Sequence, residues 1–195
     1  MRRLLPCALL LALAGCAGGL TLADGSGARL WGDGPYGLVL VHDRGRDAAS
    51  WDQAARAFAD EGMTVLAVED ATGDAVVAAI SHLQDGGLER VALLGAGEGA
   101  TVAMDVGRER PELVDQLIAL SAAGDAAGLG AFPKLFVASA GEAAASDAER
   151  LAAEAPGDWN ALYLAPGTAS GQEILLGEGG PATLDAILRR LDERR

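Results

Sequence analysis

The sequence predicts an α/β domain: a doubly wound, mostly parallel sheet flanked by helices. Two observations carry that prediction. Short runs of aliphatic and β-branched residues recur at 38–41, 64–68, 91–94, 117–120, 135–138 and 161–164, each closed within three residues by Gly, Asp or Ser. They are continuous rather than alternating, as strands buried on both faces are. Between them lie stretches with apolar residues at helical spacing, and regular alternation of the two patterns lays the strands side by side in parallel.

Taken in order, residues 17–27 are small, polar and Gly-rich, and read as a tether with one edge strand at 20–22. The first helix, 49–60, spaces Trp51, Ala55 and Phe58 along one side. The second, 74–83, opens on an acidic cap at Asp74 and aligns Val76, Val77, Ile80 and Leu83 in a stripe. A third spans 98–108. The fourth, 146–155, opens with Ser146 followed by Glu149 at capping-box spacing. The fifth, 182–191, follows Pro181, a residue the first turn of a helix tolerates. No internal repeat and no second domain is visible.

Residues 1–15 read as a secretion signal. Arg2 and Arg3 precede an apolar run, 4–13, broken only by Pro6, and Ala14 and Gly15 supply small residues before Cys16. The run is too short to cross a hydrocarbon core of ~30 Å as a helix. Leu13-Ala14-Gly15-Cys16 resembles the bacterial lipobox. That resemblance implies that Cys16 is acylated, palmitate being a typical chain, and becomes the first residue of the mature protein. It implies in turn a lipid-anchored protein of the cell envelope. With Ala17 rather than Asp after the cysteine, the outer membrane is favoured, with the domain facing the periplasm or the exterior.

With Cys7 removed and Cys16 lipidated, no disulfide can form and no thiolate remains. His42 and His82 are the only imidazoles, so a zinc site would need carboxylates for most of its ligands. No metal and no cofactor is expected. Losing Arg2 and Arg3 leaves 13 basic residues against 28 acidic ones, a net of −15. Such a surface repels nucleic acid and anionic headgroups, so no nucleic-acid partner is expected and anchoring falls to the acyl chains. The roughly 180 mature residues suffice for one core.

Two segments carry a family resemblance. The first runs from Tyr36 through Val41, His42, Asp43, Arg44 and Gly45 to Trp51; the second is Arg90-Val-Ala-Leu-Leu-Gly95-Ala-Gly97-Glu98-Gly99-Ala, leading into a helix. Together they resemble an α/β-hydrolase of the small, capless, dienelactone-hydrolase or esterase-like kind. A His-Gly-type loop follows the third strand, and a Gly-x-Ser-x-Gly nucleophile elbow comes later. The likeness extends over residues 27–195 and implies the α/β-hydrolase fold without a cap domain.

Family chemistry needs a Ser on the elbow, a His to deprotonate it, an acid to orient the His, and backbone N–H groups for the oxyanion. Carried over residue by residue, the nucleophile position is Gly97, the histidine position is Ser170 and the acid falls at Glu142. Nucleophile and base are both absent, so no catalytic residue is expected. His42, Asp43, Gly97 and Glu98 remain as candidates for binding a ligand. Glu98 is the carboxylate nearest the elbow, but an acid in the first helical turn is what the helix dipole favours in any case. His42 belongs to the oxyanion-side loop. Ser121 and Ser139 end strands without an elbow around them or a His to activate them. His82 reads as a solvated helix residue.

Gly95-Ala-Gly97-Glu98-Gly-Ala100 also fits the dinucleotide fingerprint, but the acid expected about 20 residues on falls in the apolar run 117–120. The expectation is a degenerate, non-catalytic hydrolase-like domain that binds a small neutral ligand or an envelope protein. The alternatives are an ester hydrolase using unconventional groups, a purely structural lipoprotein and, last, a dinucleotide-binding domain.

Overall fold

The computed structural model describes residues 18–193. The signal segment, Cys7 and Cys16 lie outside the described residues. Within them the sheet has eight strands: β1 (Gly18–Thr21), β2 (Gly27–Trp31), β3 (Tyr36–Val41), β4 (Met63–Val68), β5 (Val91–Ala96), β6 (Gln116–Leu120), β7 (Lys134–Ser139) and β8 (Asn160–Ala165). Their spatial order is β1-β2-β4-β3-β5-β6-β7-β8. β2 is antiparallel to both of its neighbours, and from β4 onward every pairing is parallel.

Five α-helices connect the strands: α1 (Asp52–Asp60), α2 (Gly73–Asp85), α3 (Glu98–Glu109), α4 (Ala145–Glu154) and α5 (Gly180–Asp192). They divide between the two faces. Ala75, Ile80, Met104 and Leu151 of α2, α3 and α4 share one apolar cluster with Val39, Leu93 and Phe136. Phe58, Ile187 and Leu191 of α1 and α5 share the other with Leu38, Leu94 and Val137. Strands β3 to β7 are buried at every position, which is why they read as unbroken apolar runs. Only residues 121–133 join β6 to β7, leaving no room for a cap domain there.

Four expectations are corrected. The edge strand expected at 20–22 within the tether 17–27 is present as β1 but starts earlier, at Gly18, and the rest of that stretch from residue 22 is not a tether: Leu20 pairs with Ala28 in a β1–β2 hairpin turned by residues 22–26. Its sequence is too short and glycine-rich to show periodicity. The run 161–164 is an edge strand rather than a buried one, with Leu162 39% and Leu164 37% exposed. Asp74 does not cap α2; Thr72 does, its side chain accepting from the Ala75 N–H. The Ser146–Glu149 box does not form, because Ala144 is the N-cap of α4 and no side chain bonds there.

Successive crossovers leave β3 and β5 toward opposite faces, α1 on one and α3 on the other. The loops after these neighbouring strands therefore face each other across a crevice, the usual position of a site in an open parallel sheet.

Candidate functional site

Gly97 alone joins β5 to α3, at φ 54° and ψ −117°. That backbone conformation is open to glycine and strained for other residues. The flanking glycines answer to contact rather than dihedral. A Cβ on Gly95 would fall 2.4 Å from Gly99 O, and one on Gly99 would fall 2.3 Å from His42 O. The sharp strand-to-helix turn thus needs all three glycines, and the elbow's backbone is present without a side chain at its apex.

The space that side chain would take is filled from another loop. A Cβ built on Gly97 would lie 2.1 Å from Asp43 Oδ1 and 2.4 Å from Oδ2. Asp43 follows β3, and its Oδ1 accepts from the N–H of Arg44 at 2.7 Å and of Glu98 at 3.0 Å. In hydrolases of this fold the oxyanion is received by the N–H after the elbow residue and one from the loop after the third strand. Glu98 and Arg44 hold those places here, and both N–H groups are spent on Asp43. The carboxylate also suits the N-terminus of α3, where the helix dipole favours negative charge.

Asp43 is itself held in place. Its N–H donates to Gln172 Oε1 at 2.9 Å, and Gln172 Nε2 donates to Ser50 Oγ at 2.9 Å. Gly171, at φ 57°, packs so closely that a Cβ would come 2.8 Å from Asp43 Oδ2. Arg46 pairs with Glu173 across the same gap. The loop after β8 is therefore drawn onto the loop after β3.

Glu98 and His42, the titratable side chains beside this turn, are both engaged. Glu98 forms a two-point pair with Arg44, both contacts 2.9 Å, and this hydrogen bonding holds its carboxyl below the ordinary value. His42 is buried, with Nδ1 2.9 Å from Asp43 O and Nε2 3.0 Å from Glu69 O, so both ring nitrogens face carbonyl oxygens and neither faces a hydroxyl. His82 is exposed on α2, and the chain has no third imidazole. Ser170 is exposed at the head of the turn Gly171–Leu175 and makes no capping bond. A pyrophosphate would need the Glu98 N–H that Asp43 takes, next to two carboxylates, which removes the physical basis for the dinucleotide fingerprint.

Glu142 follows β7. Its Oε1 accepts from the Ser139 N–H at 2.6 Å, and the Ser121 hydroxyl donates to its carboxylate at 2.9 Å. Ser121 Oγ in turn accepts from the Gly171 N–H at 2.7 Å. Ser121 ends β6 at φ 50°, the only non-glycine among the described residues at positive φ. Ser121, Glu142 and Gly171 thus tie the ends of β6, β7 and β8 together.

The sequence reading picked out Asp43 without its role, set Ser121 aside as a strand end, and missed Gln172 and the Arg44 pairing. The available signal was Asp43 itself, an acid directly after His42 in a loop of His-Gly type. Its meaning required knowing that Gly97 stands opposite.

No family model matches the chain, and no curated protein matches it in sequence. Solved structures do resemble it. A monoacylglycerol lipase from Paleococcus ferrophilus superposes with a TM-score of 0.70 at 13% identity, over 86% of this chain and 98% of that one. A hydrolase from Pseudomonas aeruginosa gives 0.67 at 17%, over 91% and 99%. The enol-lactonase from Burkholderia xenovorans gives 0.65 at 13%, over 90% and 100%. At these identities the likeness concerns the fold: this chain has the α/β-hydrolase fold.

Proposed function

We propose that this chain is a lipid-anchored protein of the bacterial envelope whose hydrolase-fold domain does no catalysis and serves to bind a small ligand or a protein. One observation carries the reading: the Asp43 carboxylate sits in the apex space of the elbow and takes the two N–H groups that would receive an oxyanion. A substrate carbonyl has neither an attacking atom nor a receiving pair there. His42, with both ring nitrogens facing backbone carbonyls, points the same way.

The anchoring half rests on Leu13-Ala14-Gly15-Cys16. Only residue 17 stands between Cys16 and the start of β1 at Gly18. A lipidated Cys16 would then hold the β1 edge close against the bilayer, with the acyl chains and not the acidic surface providing the attachment.

Two experiments test this. Residues 17–195, purified as a soluble protein, are assayed on short acyl esters; the expected rate equals that of buffer. Turnover abolished by Asp43→Asn or Glu98→Gln would overturn the non-catalytic reading. In cells fed labelled palmitate, the full chain is expected to take up label and sediment with membranes, and Cys16→Ser to do neither. Labelling that survives Cys16→Ser would sink the lipid anchor.

A further inference from the structure

With the elbow filled, the open space lies two strands further along. A cavity of about 470 Å³ sits at the C-terminal end of β7, under the loop after β8 and the turn into α5. Ser139, Pro166, Thr168, Ala169, Ile174 and Glu178 are among its lining residues. The volume falls in the range of small-molecule sites, roughly 300–1,000 Å³. Its walls are mainly apolar, and one polar group stands out. Ser139 is 1% exposed, and its Oγ has no hydrogen-bond partner.

Side-chain alternation along β7 places Ser139 on the face of Leu135 and Val137. Those two residues pack in the cluster that contains Ile174, and Ile174 lines the cavity, so the hydroxyl is on the cavity side of the sheet. A buried hydroxyl without a partner is costly, and a ligand atom that pairs with it relieves the cost. The surrounding frame is preformed: the Ser139 N–H is held by Glu142, and the Gly141 N–H donates to Gly167 O at 2.9 Å.

We infer that this cavity binds a small, neutral, largely apolar molecule bearing one polar group that hydrogen-bonds Ser139 Oγ. Glu178 at the exposed side and the excess of acidic residues disfavour an anion. The inference rests on the ligand-binding half of the proposed function and gives that half a place and a ligand class.

The test uses N-phenyl-1-naphthylamine, a neutral apolar dye with a single N–H, and residues 17–195, which contain every element of the fold. The expected result is a saturable rise in dye fluorescence with one site per chain. Ala169→Phe and Thr168→Trp, which fill the cavity from two sides, should each weaken binding at least about tenfold. Ser139→Ala should weaken it by about five- to tenfold, the effect of losing one hydrogen bond. Leu162→Ser, which removes an exposed leucine elsewhere, should leave binding unchanged. Circular dichroism verifies that each variant is folded. No saturable rise would overturn the inference. So would a rise that folded Ala169→Phe and Thr168→Trp both leave intact, or one lost with Leu162→Ser. The dye carries no ester, so this outcome is independent of the turnover assay above.

Discussion

Asp43 Oδ1 lies 3.0 Å from the Glu98 amide nitrogen, and its carboxylate occupies the volume that any side chain on Gly97 would enter. An acid at 43 and a glycine at 97 are therefore one feature, built from two loops.

That coupling is measurable. Gly97→Ala should destabilise the domain by about 3 kcal/mol, from collision with the carboxylate and from the positive φ together. In an Asp43→Gly background the cost should fall by at least about 1 kcal/mol, the backbone part remaining. Urea denaturation of the wild type, both single variants and the double variant gives the coupling. Strict additivity would show that the carboxylate and the missing side chain are unrelated.

Ser121 combines a strained backbone with a fully used hydroxyl. Ser121→Ala removes the donor to Glu142 and the acceptor for Gly171, and should cost about 2 kcal/mol. Ser121→Gly loses the same bonds but relieves the positive φ, so it should be less damaging by about 1 kcal/mol. Unfolding midpoints in which glycine is the worse replacement would refute the strain at 121.

Lys134, the single lysine of the sequence, is fully buried at the start of β7, its Nζ donating to Phe132 O and Pro156 O at 2.7 Å each. Burial, with the Arg190 guanidinium close by, lowers its pKa from 10.5 to about 8. Between pH 8 and 10 the folded chain has then released a proton that the unfolded chain keeps. Stability contributed by this group should therefore rise with pH across that window, at most about 1.4 kcal/mol per unit. Urea midpoints at pH 7.5, 8.5 and 9.5 should climb for the wild type relative to Lys134→Met. Parallel profiles would refute the shift.

The Arg44–Glu98 pair has good geometry but lies in solvent, with side chains 81% and 47% exposed. Screening and side-chain entropy offset most of its attraction. Arg44→Ala should leave the unfolding midpoint within error at physiological salt. A clear loss of stability would mean that the pair braces the Asp43 loop.

The sequence by itself determined the parallel sheet and its two-sided packing. Burial on both faces removes polar residues from a strand, so β3 to β7 are visible as apolar runs. The close approach of α3 to β5 and to the loop after β3 admits only glycine at 95 and 99, so the elbow is visible without its serine.

Tertiary structure alone decided what fills the elbow and where open space remains. Asp43 meets Gly97, Gln172 meets Asp43, and Ser121 meets Gly171 only because parallel crossovers bring the C-terminal ends of distant strands together. Nothing in the neighbouring residues of any of them encodes the partner. The same holds at the two edges. Strand β1 is held by hydrogen bonds to β2 rather than by an apolar pattern, and β8 is half exposed because it forms the sheet's edge among the described residues. Periodicity reports how a segment is buried; it does not report which segment buries it.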